Sequence, residues 1–168
     1  LARRLHAAGA KLTVADINEK AVTKAVEDFG ATAVGVDEIA AVEADVFSPN
    51  ALGAGINART VPALKVAAGA GGANNQLETA QDGEALRARG ILYAPDYVMN
   101  AGGVTKMCGD YFGWPQAEVT RRVEGIGDRL AAIFAHAAAT KRATNLVADE
   151  MAEGLFARRP AEPLRQAS

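Results

Sequence analysis

The sequence predicts an α/β fold: a doubly wound, mostly parallel sheet flanked by helices, with long helices toward the C-terminus. Three observations carry the prediction. Short apolar runs recur at Lys11–Ala15, Ala33–Val36, Ala44–Phe47, Ala63–Ala68 and Ile91–Ala94, as expected for strands covered on both faces. A helix-period segment, Glu19–Phe29, separates the first two runs, so strand, helix and strand alternate in the βαβ manner. Beyond Pro115 the period becomes helical throughout.

The elements follow in order. Leu1–Gly9 reads as the back half of a helix, with Leu1 and Leu5 four apart and Gly9 closing it. No capping residue precedes it, so the expectation is an N-terminal truncation, the chain opening inside a helix of a longer protein. Asn18 caps Glu19–Phe29, whose Ala21, Val22, Ala25, Val26 and Phe29 share a face, and Gly30 stops it. A short helix is expected over Asp37–Val42. Pro115 opens a helix of six or seven turns, on which Val119, Val123, Ile126, Leu130, Ile133, Phe134 and Ala137 recur at three- and four-residue spacing, with a soft spot at Gly125 and Gly127. A last helix spans Leu146–Ala157. Residues 158–168, with Pro160 and Pro163, read as a frayed tail.

Composition narrows the function. A length of 168 residues suits one domain, here 1–157, with a short extension. Apolar residues make up 49%, but 38 residues are Ala and only 5% are aromatic, so much of the apolar content is helix-forming filler. Eighteen basic residues against twenty acidic ones, with no basic run, argue against nucleic-acid binding. No apolar stretch reaches the roughly 18 residues of a membrane span. The single cysteine, Cys108, excludes an internal disulfide and a Cys-rich zinc site and fits a reducing, cytoplasmic compartment. His6 and His136 have no carboxylate or thiol at ligand spacing, and no metal site is expected.

Four segments could carry chemistry. Asp16 ends the second strand of a Rossmann-like unit, where an acid accepts hydrogen bonds from the adenine-ribose hydroxyls and repels a 2′-phosphate; the alternative is an acid at a positive helix start. Asp45–Gly53 follows a central strand, and small residues such as Ser48 and Ala51 would admit a flat ligand; the alternative is a turn shaped by Pro49. Gly69–Leu77 holds three glycines and the pair Asn74-Asn75, whose uncharged amides can read a carboxamide or carboxylate or can satisfy their own backbone. The glycines weaken a strand just before that pair. Tyr93–Val104 runs from a strand through Pro95 to Asn100 beside Gly102 and Gly103, which permit close backbone approach.

Taken together these stretches resemble the Glu/Leu/Phe/Val dehydrogenase family, nearest its leucine, valine and phenylalanine members. The resemblance lies in Gly9–Asn18, Asp45–Gly53, Ala73–Leu77 and above all Gly90–Val104 (GILYAPDYVMNAGGV), and covers residues 1–157. It implies oxidative deamination of an L-amino acid to a 2-oxo acid and ammonia with hydride passed to NAD, in a homo-oligomer. By the same resemblance Asp16 and Ile17 face the adenine ribose, and Ser48, Asn50 and Ala51 run along the cofactor. Asn74, Asn75 and Asn100 orient nicotinamide and substrate, while Val104 and Met107 line a side-chain pocket suited to an apolar substrate. The family's lysines, their partner aspartate and the glycine fingerprint have no match in the chain, so no catalytic residue is expected here and the isolated chain is expected to be inactive.

Overall fold

The computed structural model describes residues 1–157. The tail expected over 158–168 lies outside the described residues. In chain order the elements are α1 (Ala2–Ala7), β1 (Thr13–Val14), α2 (Glu19–Phe29), β2 (Thr32–Ala33), a 3-10 turn (Ile39–Ala41), β3 (Val46–Phe47), a second 3-10 turn (Val61–Ala63) and β4 (Ala68–Gly69). Then come α3 (Ala80–Ala88), β5 (Leu92–Tyr93), α4 (Asp96–Met99), α5 (Gly102–Phe112), α6 (Gln116–Glu124), α7 (Ile126–Thr140) and α8 (Thr144–Ala157).

Every strand pair is parallel, but the strands form two sheets. One pairs β1 with β2, and the other has the order β3-β4-β5. A single sheet was the expectation. No described strand lies between β1 and β3, so each keeps one unpaired edge.

Local chemistry explains the helix ends. The Asn18 side chain accepts from the backbone N–H groups of Lys20 and Ala21, and Gly30 closes α2 in the left-handed conformation at φ 61°. The Asp37–Val42 helix is reduced to the 3-10 turn. The expected long helix breaks at Gly125 into α6 and α7, where the soft spot stood. The strand expected at Ala63–Ala68 is shifted: Ala63 ends a 3-10 turn and the pairing reaches Gly69. A side chain is dispensable at Gly69, because the Tyr93 ring and Ile56 pack over it.

Helices α3, α4 and α5 were not anticipated. α3 starts with a reciprocal cap between Thr79 and Asp82. It buries Leu86 in a core with Ile56, Val61, Leu64, Ile91 and Tyr93 beneath the three-stranded sheet. A second core joins α7 and α8 through Ile133, Ala137, Val147 and Ala148, with Val98 of α4 packed against it. The Tyr97 hydroxyl fastens α4 further, donating to Asp149 Oδ1 at 2.5 Å with the Asn145 carbonyl 3.3 Å away. The α4 segment therefore sits on rigid supports. Among the described residues no helix is long and apolar enough to cross a membrane.

Candidate active site

Because β3, β4 and β5 are parallel, their carboxyl ends open on one edge, where open α/β sheets bind ligands. Their three loops interlock there. Ala70 N–H donates to the Phe47 carbonyl at 2.9 Å, and Ala73 N–H to the Pro49 carbonyl at 3.0 Å. Asn50 Nδ2 donates to Ser48 O and Oγ, while its Oδ1 accepts the Gly72 N–H at 3.0 Å. The approach is so close that a Cβ at Gly71 would lie 2.6 Å from Pro49 N and 2.7 Å from its Cδ. Gln76 holds the turn from below. It is fully buried, and its Nε2 donates to the carbonyls of Gly71 (2.7 Å) and Ala73 (3.0 Å).

Asn75 adopts a left-handed backbone at φ 53°, as does Ala54 at φ 57°, and Ala54 N–H donates to the Asn75 carbonyl at 2.7 Å. Gly53 makes that crossing possible, since a Cβ there would stand 2.9 Å from the carbonyl oxygens of both Asn74 and Asn75. Across the edge, Asn100 Nδ2 donates to Asn74 Oδ1 at 2.6 Å. Asp96 bridges the remaining gap, accepting the Asn75 N–H at 2.7 Å and the Tyr93 hydroxyl at 3.1 Å. Burial first, then the nearby Asp96 charge, pushes the Tyr93 phenol above its ordinary value, so it stays neutral.

Ser48, Asn50, Asn74, Asn75 and Asn100 are thus gathered on one rim, and Ala51 lies exposed in the first of the loops. Asp16 and Ile17 follow β1 in the other sheet and share no hydrogen bond with this group. Asp16 Oδ1 accepts the Asn18 N–H at 2.8 Å, which helps start α2, and Ile17 is 92% exposed. Val104 and Met107 stand one turn apart on α5, beyond Asn100, at 52% and 64% exposure. Sequence reasoning gave no role to Asp96, Gln76 or Gly53. The only available signal was Tyr93 three residues before Asp96 across Pro95, a spacing that lets a phenol reach a carboxylate at a helix start.

The rim carries amide side chains with little charge, which suits a ligand held by shape and hydrogen bonding. The sequence model of the Glutamate/Leucine/Phenylalanine/Valine dehydrogenase family matches residues 8–156. The chain belongs to this family. It is 46% identical over 153 residues to a leucine dehydrogenase from Bacillus cereus, covering 91% of this chain and 42% of that protein. A phenylalanine dehydrogenase from Lysinibacillus sphaericus is 41% identical over 143 residues, covering 82% of this chain and 38% of its own length. Among solved structures, L-tryptophan dehydrogenase from Nostoc punctiforme superposes with a TM-score of 0.88 at 39% identity, covering 92% of this chain and 46% of that one. A hetero-hexameric glutamate dehydrogenase from Thermus thermophilus matches at TM-score 0.55 and 20% identity, over 79% of this chain and 34% of that one, a likeness of fold alone. The chain therefore spans less than half the length of these relatives.

Proposed function

We propose that these residues form the dinucleotide-binding wall of an NAD-dependent amino-acid dehydrogenase that oxidatively deaminates an apolar L-amino acid to a 2-oxo acid and ammonia. One observation carries the reading: in a chain of this family, the three loops at the carboxyl edge of β3-β4-β5 converge on Asn50, Asn74, Asn75 and Asn100. The donor set fits a dinucleotide. Its amides offer donors and acceptors without charge, and Gly72 and Asn74 are exposed at the turn.

In this reading the two sheets belong to one doubly wound, Rossmann-like sheet, completed by a strand between the open edges of β1 and β3. That strand and its glycine loop would come from outside residues 1–157. Asp16 and Ile17 then meet the adenine ribose, and Ser48, Asn50 and Ala51 flank the cofactor. Asn74, Asn75 and Asn100 orient the nicotinamide and the substrate, and Val104 and Met107 line its side-chain pocket. NAD, when bound, supplies the hydride acceptor.

These residues bind and orient; none is placed to move a proton. At this rim Asp96 and Tyr93 are the ionisable pair among the described residues, and each is committed to the other. Deamination needs a free base and a dry cleft with substrate and nicotinamide in contact, so the 168 residues by themselves are inactive. The reading also makes the protein a cytoplasmic homo-oligomer with a small amino acid as its substrate.

The test is NADH formation by the complete gene product with branched-chain and aromatic L-amino acids, using NAD and NADP in parallel. Turnover with NAD that falls in Asn75→Ala and Asn100→Ala is expected. No binding of NAD, or turnover by residues 1–168 alone, would overturn the proposal.

A further inference from the structure

We infer that Asp96 is a positioning residue: its carboxylate holds Asn75 in the left-handed turn and so aims the Asn75 carboxamide into the crevice. The inference rests on the dinucleotide reading above. Asp96 Oδ2 accepts the Asn75 backbone N–H at 2.7 Å, while Oδ1 accepts the Tyr93 hydroxyl at 3.1 Å. Both ends of that bridge are anchored. Tyr93 is 2% exposed in the sheet core, and its carbonyl accepts from Thr144 Oγ1 at 2.6 Å. Asp96 follows the fully buried Pro95 and opens α4, which Tyr97 ties to α8.

Asn75 needs such a hold. A left-handed backbone is unfavourable for any residue with a Cβ, although Asn tolerates it better than most. Here two non-glycine residues in that conformation, Asn75 and Ala54, bond directly to each other. A hydrogen bond from N–H to an ionised carboxylate is about twice as strong as a neutral one, which offsets the conformational cost. The Asn75 amide neither gives nor takes a proton, so its contribution is placement, and a misplacement of about 1 Å costs on the order of 100-fold in rate.

The variants Asp96→Ala, Asp96→Asn and Asn75→Gly, and the double Asp96→Ala/Asn75→Gly, are compared in the complete gene product. In Asp96→Asn the amide oxygen can take the Asn75 N–H while its NH₂ donates to the Tyr93 hydroxyl, which reverses its role. Asp96→Ala is expected to lower kcat by about 10- to 100-fold, and Asp96→Asn to recover most of the loss. With glycine at 75, removing Asp96 is expected to add less than about 3-fold, because the two residues act as one unit. Losses that add in the double variant, or that track melting temperature in both Asp96 variants, would overturn the inference.

If the wild-type protein neither binds nor reduces NAD, the functional reading falls by itself. Asp96 is then judged by hydrogen exchange at the Asn75 amide. Exchange at least about 10-fold faster in Asp96→Ala but not in Asp96→Asn supports the role, since about 1.4 kcal/mol corresponds to a factor of ten and a charged hydrogen bond exceeds that. Unchanged exchange in Asp96→Ala would refute it.

Discussion

Replacing Gly71 by Ala tests the interlocked loops most sharply. The added methyl would fall on the Pro49 carbonyl oxygen, 2.6 Å from Pro49 N and 2.7 Å from its ring Cδ. These are backbone and ring atoms that cannot swing aside, so the turn has to open. Opening it costs the hydrogen bonds from Ala73 N–H to the Pro49 carbonyl and from Gly72 N–H to Asn50 Oδ1, both 3.0 Å. It also tilts the Gly71 carbonyl away from Gln76. Overpacking costs about 1–3 kcal/mol and each hydrogen bond about 1 kcal/mol, giving roughly 3–5 kcal/mol together. At about 2–4 °C per kcal/mol for a domain of this size, the melting temperature falls by roughly 6–20 °C. Gly72→Ala is the contrast. Its methyl meets only Asn50 Oδ1 at 2.9 Å, the end of an exposed side chain that can rotate, so the loss is about one hydrogen bond, ~1 kcal/mol. Thermal unfolding by circular dichroism, paired with NAD titration, reads both variants. The two variants melting within about 2 °C of each other would refute the close packing argued here.

Further outcomes follow from other contacts. Thr144→Val removes the Oγ1 bond to the Tyr93 carbonyl and leaves that buried acceptor unpaired, so urea unfolding is expected to show a loss of about 1–3 kcal/mol with an unchanged slope. Gly103→Ala adds a methyl with nothing within 4 Å, inside α5. It is expected to stabilise the fold by about 0.5–1 kcal/mol yet weaken NAD binding, and stronger binding would contradict a ligand at this helix start. Glu118 accepts from Arg121 and Arg122, and those bonds lower its carboxyl from 4.5 to about 2. The folded value is the depressed one, so the stabilisation is full above pH 4.5 and disappears as the pH falls toward 2. The melting difference between wild type and Glu118→Gln is therefore expected to be constant at neutral pH, to shrink in that acid window, and to shrink in high salt.

Much of the fold was legible where a single residue fixes the backbone. Asn18 and Gly30 bound α2 to the residue, because a cap and a left-handed stop act locally. Gly125 marked the break between α6 and α7 for a similar reason. Helix α3 escaped notice because its capping pair, Thr79 and Asp82, precedes a segment whose apolar pattern is weak: Asp82 and Gly83 are buried alongside Leu86. Helix α5 begins with two glycines, which carry no helix signal of their own, and α6 packs on it through Val123 at Gly102 and Val119 at Gly109, where a Cβ would stand 2.5 Å from Val119 Cγ2. The displacement of β4 has the same root, since alternating Ala and Gly carry no strand signal of their own.

At the site, the amides Asn50, Asn74, Asn75 and Asn100 stand out by type and by the company of glycines, and the hydrogen bonds between loops bring them to one rim. The conformation of Asn75 and the bridge through Asp96 were not legible. The bridge is a contact 21 residues apart in sequence, brought within reach by the parallel pairing of β4 and β5.

The most direct measurement is a crystal structure of the complete gene product with NAD. The nicotinamide end is expected within hydrogen-bond reach of Asn75 or Asn100, the dinucleotide crossing the turn at Gly72, and the adenine ribose at Asp16. A dinucleotide bound away from the carboxyl edge of β3-β4-β5, or a ribose with no contact to Asp16 while that edge stays bare, would contradict it.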